Sequence, residues 1–206
     1  MSAVPPTISV VIPSFNSAFI TEAVDSVLAQ TFEDLEVIIV DCSTDAATIG
    51  ALERLNQPRV KIYRRSERHL PGSNRNFGIE RASSEFIICL DDDDIIEPTF
   101  LEEALFVMCC TDYSLVGTSI RTFGAMNKTM KLWPHPTIEQ IAYGDAFVVT
   151  ILLRKELWRK LDGFKDHALG REHIPEDWDF FLRAMKSGAT LYNRGSCGFH
   201  YRKHWC

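Results

Sequence analysis

Ser73 to Asp94 reads SNRNFGIERASSEFIICLDDDD, and the order of its parts decides the fold. A helix over Ser73–Arg81 leads into a short apolar strand, Phe86–Leu90, which ends on four consecutive aspartates. The same alternation extends in both directions. Strands are expected at Ile8–Ile12, Glu36–Val40 and Val60–Tyr63 before it, and at Ser114–Thr118 after it. Between the first two strands Phe19, Ile20, Ala23, Val24, Val27 and Leu28 recur at helical spacing, with Asn16 or Ser17 placed to cap. Ile49, Leu52 and Leu55 mark a second helix, and Pro98 is read as the first position of a fourth. Strands alternating with helices give an α/β fold, a mostly parallel central sheet flanked by helices.

Beyond Thr118 the pattern loosens. Residues 122–145 interleave Gly, Pro, Lys and His around Trp133, so a loop-rich stretch with a short helix near Ile138 is expected. A strand at Phe147–Leu153, a helix at Lys155–Leu161, a turn at Asp162-Gly163 and a helix at Asp177–Ser187 follow. The 206 residues, 46% of them hydrophobic, fill one domain of ordinary size. Within it, 7–118 is the half of regular alternation and 119–206 the half of looser pattern.

A formal charge of −6 argues against a nucleic-acid partner or an anionic lipid surface. An anionic ligand therefore has to meet local positive charge or a cation. The longest apolar run, Ala146–Leu153, is far short of the roughly 20 residues of a membrane span. The start, MSAVPPT, lacks the features of a signal peptide, and the expected location is cytoplasmic. Six cysteines without paired spacing read as reduced, mostly buried thiols.

Open parallel sheets bind ligands beyond the carboxyl ends of their strands. At those ends stand PSFN (Pro13–Asn16), DCSTD (Asp41–Asp45) and DDDD (Asp91–Asp94). In extended chain Asp91 and Asp93 share a face and Asp92 points the other way. Two carboxylates about 4 Å apart repel by roughly 4 kcal/mol at an effective dielectric of 20, and a divalent cation reverses the sign. Hard oxygen ligands select Mg2+, Mn2+ or Ca2+ over zinc, and magnesium-type ions share their coordination with substrate phosphates. The plain alternative is a solvated acidic turn.

Arg75 at a helix start, with Arg64, Arg65, Arg68 and His69 upstream, forms the one basic cluster of an acidic chain. Helix amides beside a guanidinium favour phosphate. Surface ion pairs are the simpler reading for Arg64 and Arg65. At Pro175–Gly188, PEDWDFFLRAMKSG, three carboxylates open an amphipathic helix, where the helix dipole alone would favour them. Asp179 is read as such a capping residue.

TISVVIPSFN, VIIVDCSTD, SNRNFGIERASSEFIICLDDDD, LDGFKD and EDWDFFLR occur in this order. With them the chain resembles the family-2 inverting glycosyltransferases of the GT-A (Rossmann-like) fold across nearly its whole length. That resemblance implies transfer of a sugar from a nucleotide-diphosphate sugar, a UDP-sugar being favoured, to a hydroxyl acceptor such as a carbohydrate. It implies that Pro13, Ser14, Phe15 and Asn16 lie along the nucleotide, that Asp41 meets the base and that Arg75 lies beside the diphosphate. Asp91 and Asp92 are then donor-binding, and Asp93 is the metal ligand of a DxD element for Mn2+ or Mg2+. Asp177 matches the catalytic base, with Glu176 beside it. Tyr201–His204 (YRKH) resembles an element whose histidine approaches the metal, either His204 or His200. The second strand end departs from the family, which usually has two aspartates and a glycine before S-T-D where this chain has Val40-Asp41-Cys42.

Two other functions share parts of this pattern. A sugar-phosphate nucleotidyltransferase needs a glycine-rich basic loop after the first strand, and PSFNS has no glycine. A non-catalytic domain that binds a nucleotide or a partner through the same fold stays open, since fold alone does not establish activity.

Overall fold

Two adjacent strands, β1 (Ile8–Ser14) and β2 (Leu35–Asp41), are buried almost without interruption. Burial on both faces explains their unbroken apolar runs and makes them the spine of a helix-covered sheet. The computed structural model describes residues 4–55, 57–143, 148–166 and 174–205. From β1 the chain runs through α1 (Ile20–Leu28), β2, α2 (Ala46–Arg54), β3 (Val60–Arg64), α3 (Pro71–Arg81) and β4 (Phe86–Cys89). In this half β1 pairs in parallel with β2 and β4, and β2 with β3.

The remainder comprises β5 (Ile95–Ile96), α4 (Phe100–Cys110), β6 (Leu115–Gly124), β7 (Thr129–Met130), α5 (Ile138–Ala142), β8 (Leu152–Arg154), α6 (Lys155–Lys160), α7 (Glu176–Lys186) and β9 (Leu191–Lys203). The strand order is β3-β2-β1-β4-β8-β6-β9-β5, with β7 on β6. One sheet thus serves both halves of the chain. Helices α1 and α4 cover one face, packing around Ile8, Val10, Ile12 and Phe100. Helices α3, α6 and α7 cover the other, around Val11, Ile38, Ile79, Trp158 and Phe181.

Helix α3 lies unusually close to the sheet. A Cβ at Gly78 would stand 2.5 Å from a Val11 methyl and 3.1 Å from a Val40 methyl, so only glycine permits that approach. Gly163, at φ +68°, turns the chain after α6. The turn is pinned by Asn76, whose Oδ1 accepts from Trp158 Nε1 and Phe164 N at 2.9 Å each, while its Nδ2 donates to Phe164 O at 2.8 Å. The LDGF segment is thereby fastened to α3.

Several expectations are corrected. Pro98 lies before α4, whose N-cap is Thr99, whereas Pro71 is the proline inside a helix start. Neither Asn16 nor Ser17 caps α1, whose N-cap is Phe19; Asn16 adopts φ 52° and spends its side chain on the neighbouring loop. The strand expected at 147–153 is only Leu152–Arg154, and Phe147 is outside the described residues. The short helix at Ile138 forms with a capping box between Thr137 and Gln140. Asp179 stands in the first turn of α7, as the dipole reading expects, and its Oδ2 also pairs with Arg183 one turn on, at 2.7 Å. The described cysteines are free, but Cys109 and Cys110 are exposed rather than buried. Among the described residues no helix is long and apolar enough to cross a membrane.

Glu36, buried in β2, gives a pH signature to the fold. Burial alone would raise its pKa, yet hydrogen bonds from Lys61, Ser9 and Ser83 hold it down at about 2, against 4.5 ordinarily. Its ionisation therefore favours folding above pH 4.5, and that contribution is lost as pH falls toward 2. Glu36→Gln is expected to cost about 2 to 3 kcal/mol at neutral pH. In thermal unfolding the gap from wild type should narrow steadily between about pH 5 and pH 2.

Candidate active site

The four aspartates leave the end of β4 as a turn, closed by Asp94 N donating to Asp91 O at 3.2 Å. They do not alternate as extended chain would, because a turn sends each side chain to a different neighbour. Asp91 meets Arg75 Nη2 at 2.6 Å. Asp92 accepts from Phe15 N at 3.1 Å, tying the loop after β1 to the end of β4. Asp93 Oδ2 lies 2.7 Å from His204 Nε2, and Asp94 Oδ1 accepts from Arg202 N at 2.7 Å. Burial, reinforced by the neighbouring carboxylates, pushes Asp92 up to about 6 and Asp94 up to about 8 despite these hydrogen bonds.

Arg75 is 4% exposed, on the inward face of α3. Its guanidinium bridges Asp91 and Glu176, and so joins the acidic turn to the first residue of α7. Burial alone would lower its pKa, but the two carboxylates hold it charged, well above the ordinary arginine value. Asp177 stands next along α7. Burial raises its pKa, with Arg75 opposing and Glu176 adding to the rise, so its carboxylate is a stronger base than an exposed aspartate.

The amino end of α3 is already filled. Asp166 accepts from Gly72 N at 3.0 Å and Ser73 N at 2.6 Å, so the anion held by those amides is the chain's own carboxylate. The expectation that this helix start holds phosphate is corrected accordingly. A neighbouring cleft of about 310 Å³ is lined by Pro13–Phe15, Arg68–Pro71, Asn74, Arg75, Asp91–Asp93 and Tyr201. Arg68 stacks on Phe15, 4.4 Å from the ring centre. A smaller cavity of about 200 Å³ is lined by Asp91, Asp94, Val148, Val149, Asp177, Phe199 and Tyr201. Asp91 and Tyr201 form a wall common to both.

Two donor-site expectations fall outside this lining. Asp41 is buried, accepts from Ser43 N at 2.9 Å and lies 3.9 Å from Arg64 Nε. Asn16 Oδ1 accepts from Thr44 N at 2.8 Å and Asp45 N at 3.1 Å, which binds the first two strand-end loops together. Of the two histidines, His204 reaches the acidic turn, whereas His200 Nε2 pairs with Glu97 at 2.5 Å. Among the described residues no group of three or more His, Cys, Asp or Glu is arranged to hold a metal. Asp93 and His204 supply a pair.

The sequence model of the family Glycosyl transferase family 2 matches residues 9–175. The chain belongs to glycosyl transferase family 2. The O-antigen biosynthesis glycosyltransferase WbnJ of Escherichia coli is 28% identical over 197 residues, covering 90% of this chain and 75% of WbnJ. A GalNAc(5)-diNAcBac-PP-undecaprenol beta-1,3-glucosyltransferase of Campylobacter jejuni is 36% identical over 93 residues, 43% of this chain and 30% of that protein. Among solved structures, residues 1–349 of S. aureus TarS superpose with a TM-score of 0.80 at 22% identity. The match covers 95% of this chain and 60% of the TarS chain. The single α/β sheet with flanking helices is therefore the fold of this family 2 member.

Among the cleft residues of this glycosyl transferase that sequence reasoning left without a role are Arg68, His69 and Tyr201. Arg68 and His69 were legible only as members of a basic cluster, and Tyr201 only as part of YRKH. Their signal is positional: Arg68 and His69 reach the cleft from the segment before α3, and Tyr201 from β9. Asp166 was quoted within LDGFKD with no function attached. Asp166→Ala is expected to cost about 1 kcal/mol by uncapping α3, and Asp166→Asn, which keeps an acceptor, only part of that. Urea unfolding of the two variants beside wild type measures both losses.

Proposed function

We propose that this family 2 member is an inverting glycosyltransferase that moves a sugar from a nucleoside-diphosphate sugar, with UDP as the favoured nucleotide, onto an acceptor hydroxyl, a carbohydrate one by preference. The observation that carries the reading is the pair of cavities with a common wall: the larger holds the phosphate-compatible groups, and the smaller holds Asp177. In this reading donor and acceptor take separate seats on either side of Asp91. The TarS fragment solved with UDP-GlcNAc, of which this chain covers 59% at a TM-score of 0.81, supports a UDP-sugar as donor. WbnJ, by its description an enzyme of O-antigen biosynthesis, supports a glycan product.

In this reading the acceptor hydroxyl sits against Asp177, which takes its proton as the oxygen forms a bond to the anomeric carbon. The bond from that carbon to the diphosphate breaks on the opposite side, so the configuration inverts. Arg75 holds Asp91 and Glu176 in place and brings positive charge to the wall nearest the departing diphosphate. Phe15 and Arg68 flank the donor cleft as a stacked pair.

Asp93 and His204 are the residues that would hold Mn2+ or Mg2+. A carboxylate and an imidazole leave most of the coordination to phosphate oxygens and water, which is how magnesium-type ions bind in nucleotide sites. A cation there supplies charge to stabilise the leaving nucleoside diphosphate.

Asp177→Asn tests the base. Transfer should fall by roughly 10²- to 10⁴-fold while donor affinity and melting temperature stay near wild type. Because burial raises the Asp177 pKa, the acid limb of the wild-type rate profile should lie above the ordinary aspartate value of 3.8. Turnover close to normal in the variant, or an acid limb unchanged by the substitution, would remove Asp177 from the mechanism. Asp93→Ala is expected to abolish the manganese-dependent part of UDP binding in calorimetry. Wild-type affinity that is equal in EDTA and in manganese would sink the metal assignment.

A further inference from the structure

Arg202 lies near the end of β9, far along the chain from the acidic turn, yet its contacts converge on that turn. Its Nε donates to Asp93 O at 2.7 Å, and its main-chain N donates to Asp94 Oδ1 at 2.7 Å. Its Nη2 pairs with Glu22 Oε2 of α1 at 2.6 Å. The guanidinium also lies over two rings, 3.9 Å from the Phe19 centre and 4.3 Å from that of Phe123. With a side chain only 11% exposed, it has one geometry rather than many.

Two residues on, His204 approaches the same aspartate by its carboxylate, and the His204 ring lies 5.8 Å from the ring of Phe19. Residues two apart at a strand end share a face. Asp93 is therefore gripped by two atoms: its carbonyl by Arg202 and its carboxylate by His204. A hydrogen bond to that carbonyl fixes the peptide plane between Asp93 and Asp94, and hence the direction in which the Asp93 side chain leaves the turn.

We propose that Arg202 is a positioning residue of the donor site, clamping the main chain of the acidic turn so that Asp93 and His204 stand together as a cation-binding pair. The inference rests on the glycosyltransferase reading above but concerns a residue that this reading does not use. The planar guanidinium matters as much as its charge. It serves the Asp93 carbonyl through one nitrogen and Glu22 through another while lying against two rings, and a lysine ammonium, a single point on a flexible stem, cannot do all of these at once.

The test is calorimetric titration of UDP into the full chain of wild type, Arg202→Lys and Glu22→Gln, each in manganese and in EDTA, with melting temperatures measured alongside. Arg202→Lys is expected to melt within a few degrees of wild type, to lose about tenfold in UDP affinity with manganese, and to match wild type in EDTA. Glu22→Gln, which frees only the outer end of the guanidinium, should show a smaller loss of the same kind. If Arg202→Lys binds UDP with manganese as tightly as wild type does, the positioning role is overturned while the donor site stands. Equal losses with and without manganese would likewise overturn it, since they mark a general structural effect. If wild type itself gains nothing from manganese, the metal reading and the inference fall together.

Discussion

The bridge from Arg75 to Asp91 and Glu176 is the interaction on which the site depends. Its three members come from α3, from the turn after β4 and from the start of α7, three pieces separated by long stretches of chain. Inside the protein a guanidinium between two carboxylates is more a fixer of geometry than a source of net stability, since desolvation consumes much of the attraction. Breaking it is another matter: two carboxylates would be left together without their counter-charge, a loss of about 3 to 5 kcal/mol for buried pairs. Removal of Arg75 is for that reason a poor probe of diphosphate binding, because a fold defect and a ligand defect would arrive together.

The fold is organised to hold α3 at that bridge. Gly78 lets the helix lie against Val11 and Val40, Asn76 fastens the turn after α6 to it, and Asp166 closes its amino end. The first seats α3 on the sheet of its own half, and the other two draw the second half of the chain toward it. Asp177 follows Glu176 directly in α7, so whatever fixes Glu176 on Arg75 also fixes the proposed base relative to Asp91.

How much of this was legible in the sequence depended on whether the cause was local. The parallel half was readable because buried strands and amphipathic helices write their periods into consecutive residues, as in LEVIIVD of β2. That four aspartates end β4 was equally plain, but not that they form a turn, because the hydrogen bond that closes it leaves no mark on composition. β9 was the largest omission. It carries Gly195, Ser196 and Gly198, its pairing with β6 slips register near Thr118 and Ser119, and its burial follows no clean alternation. A pattern reader sees loop there, yet this strand delivers Tyr201, Arg202 and His204 to the acidic turn. Their roles are tertiary, and only the pairing of Ile95 with His200 and Ile96 with Phe199 makes them visible.

An acidic protein proposed to handle a diphosphate has to manage its own negative charge, and the turn divides that task among its residues. Asp91 is neutralised by a buried arginine. Asp92 and Asp94 are pushed up to about 6 and about 8 by burial, which suppresses part of their charge near neutral pH. Asp93 is treated differently, since its partner is a histidine whose side chain is 57% exposed and which needs no permanent charge. Asp93 thus faces an imidazole, whereas Asp92 and Asp94 accept main-chain amides from Phe15 and Arg202. Under the proposed function a divalent cation would be held at Asp93, the carboxylate whose partner is an exposed imidazole rather than a fixed charge. The field that admits an anion would then be completed by the ligand's own cation, which makes compatible an overall charge of −6 and an anionic substrate.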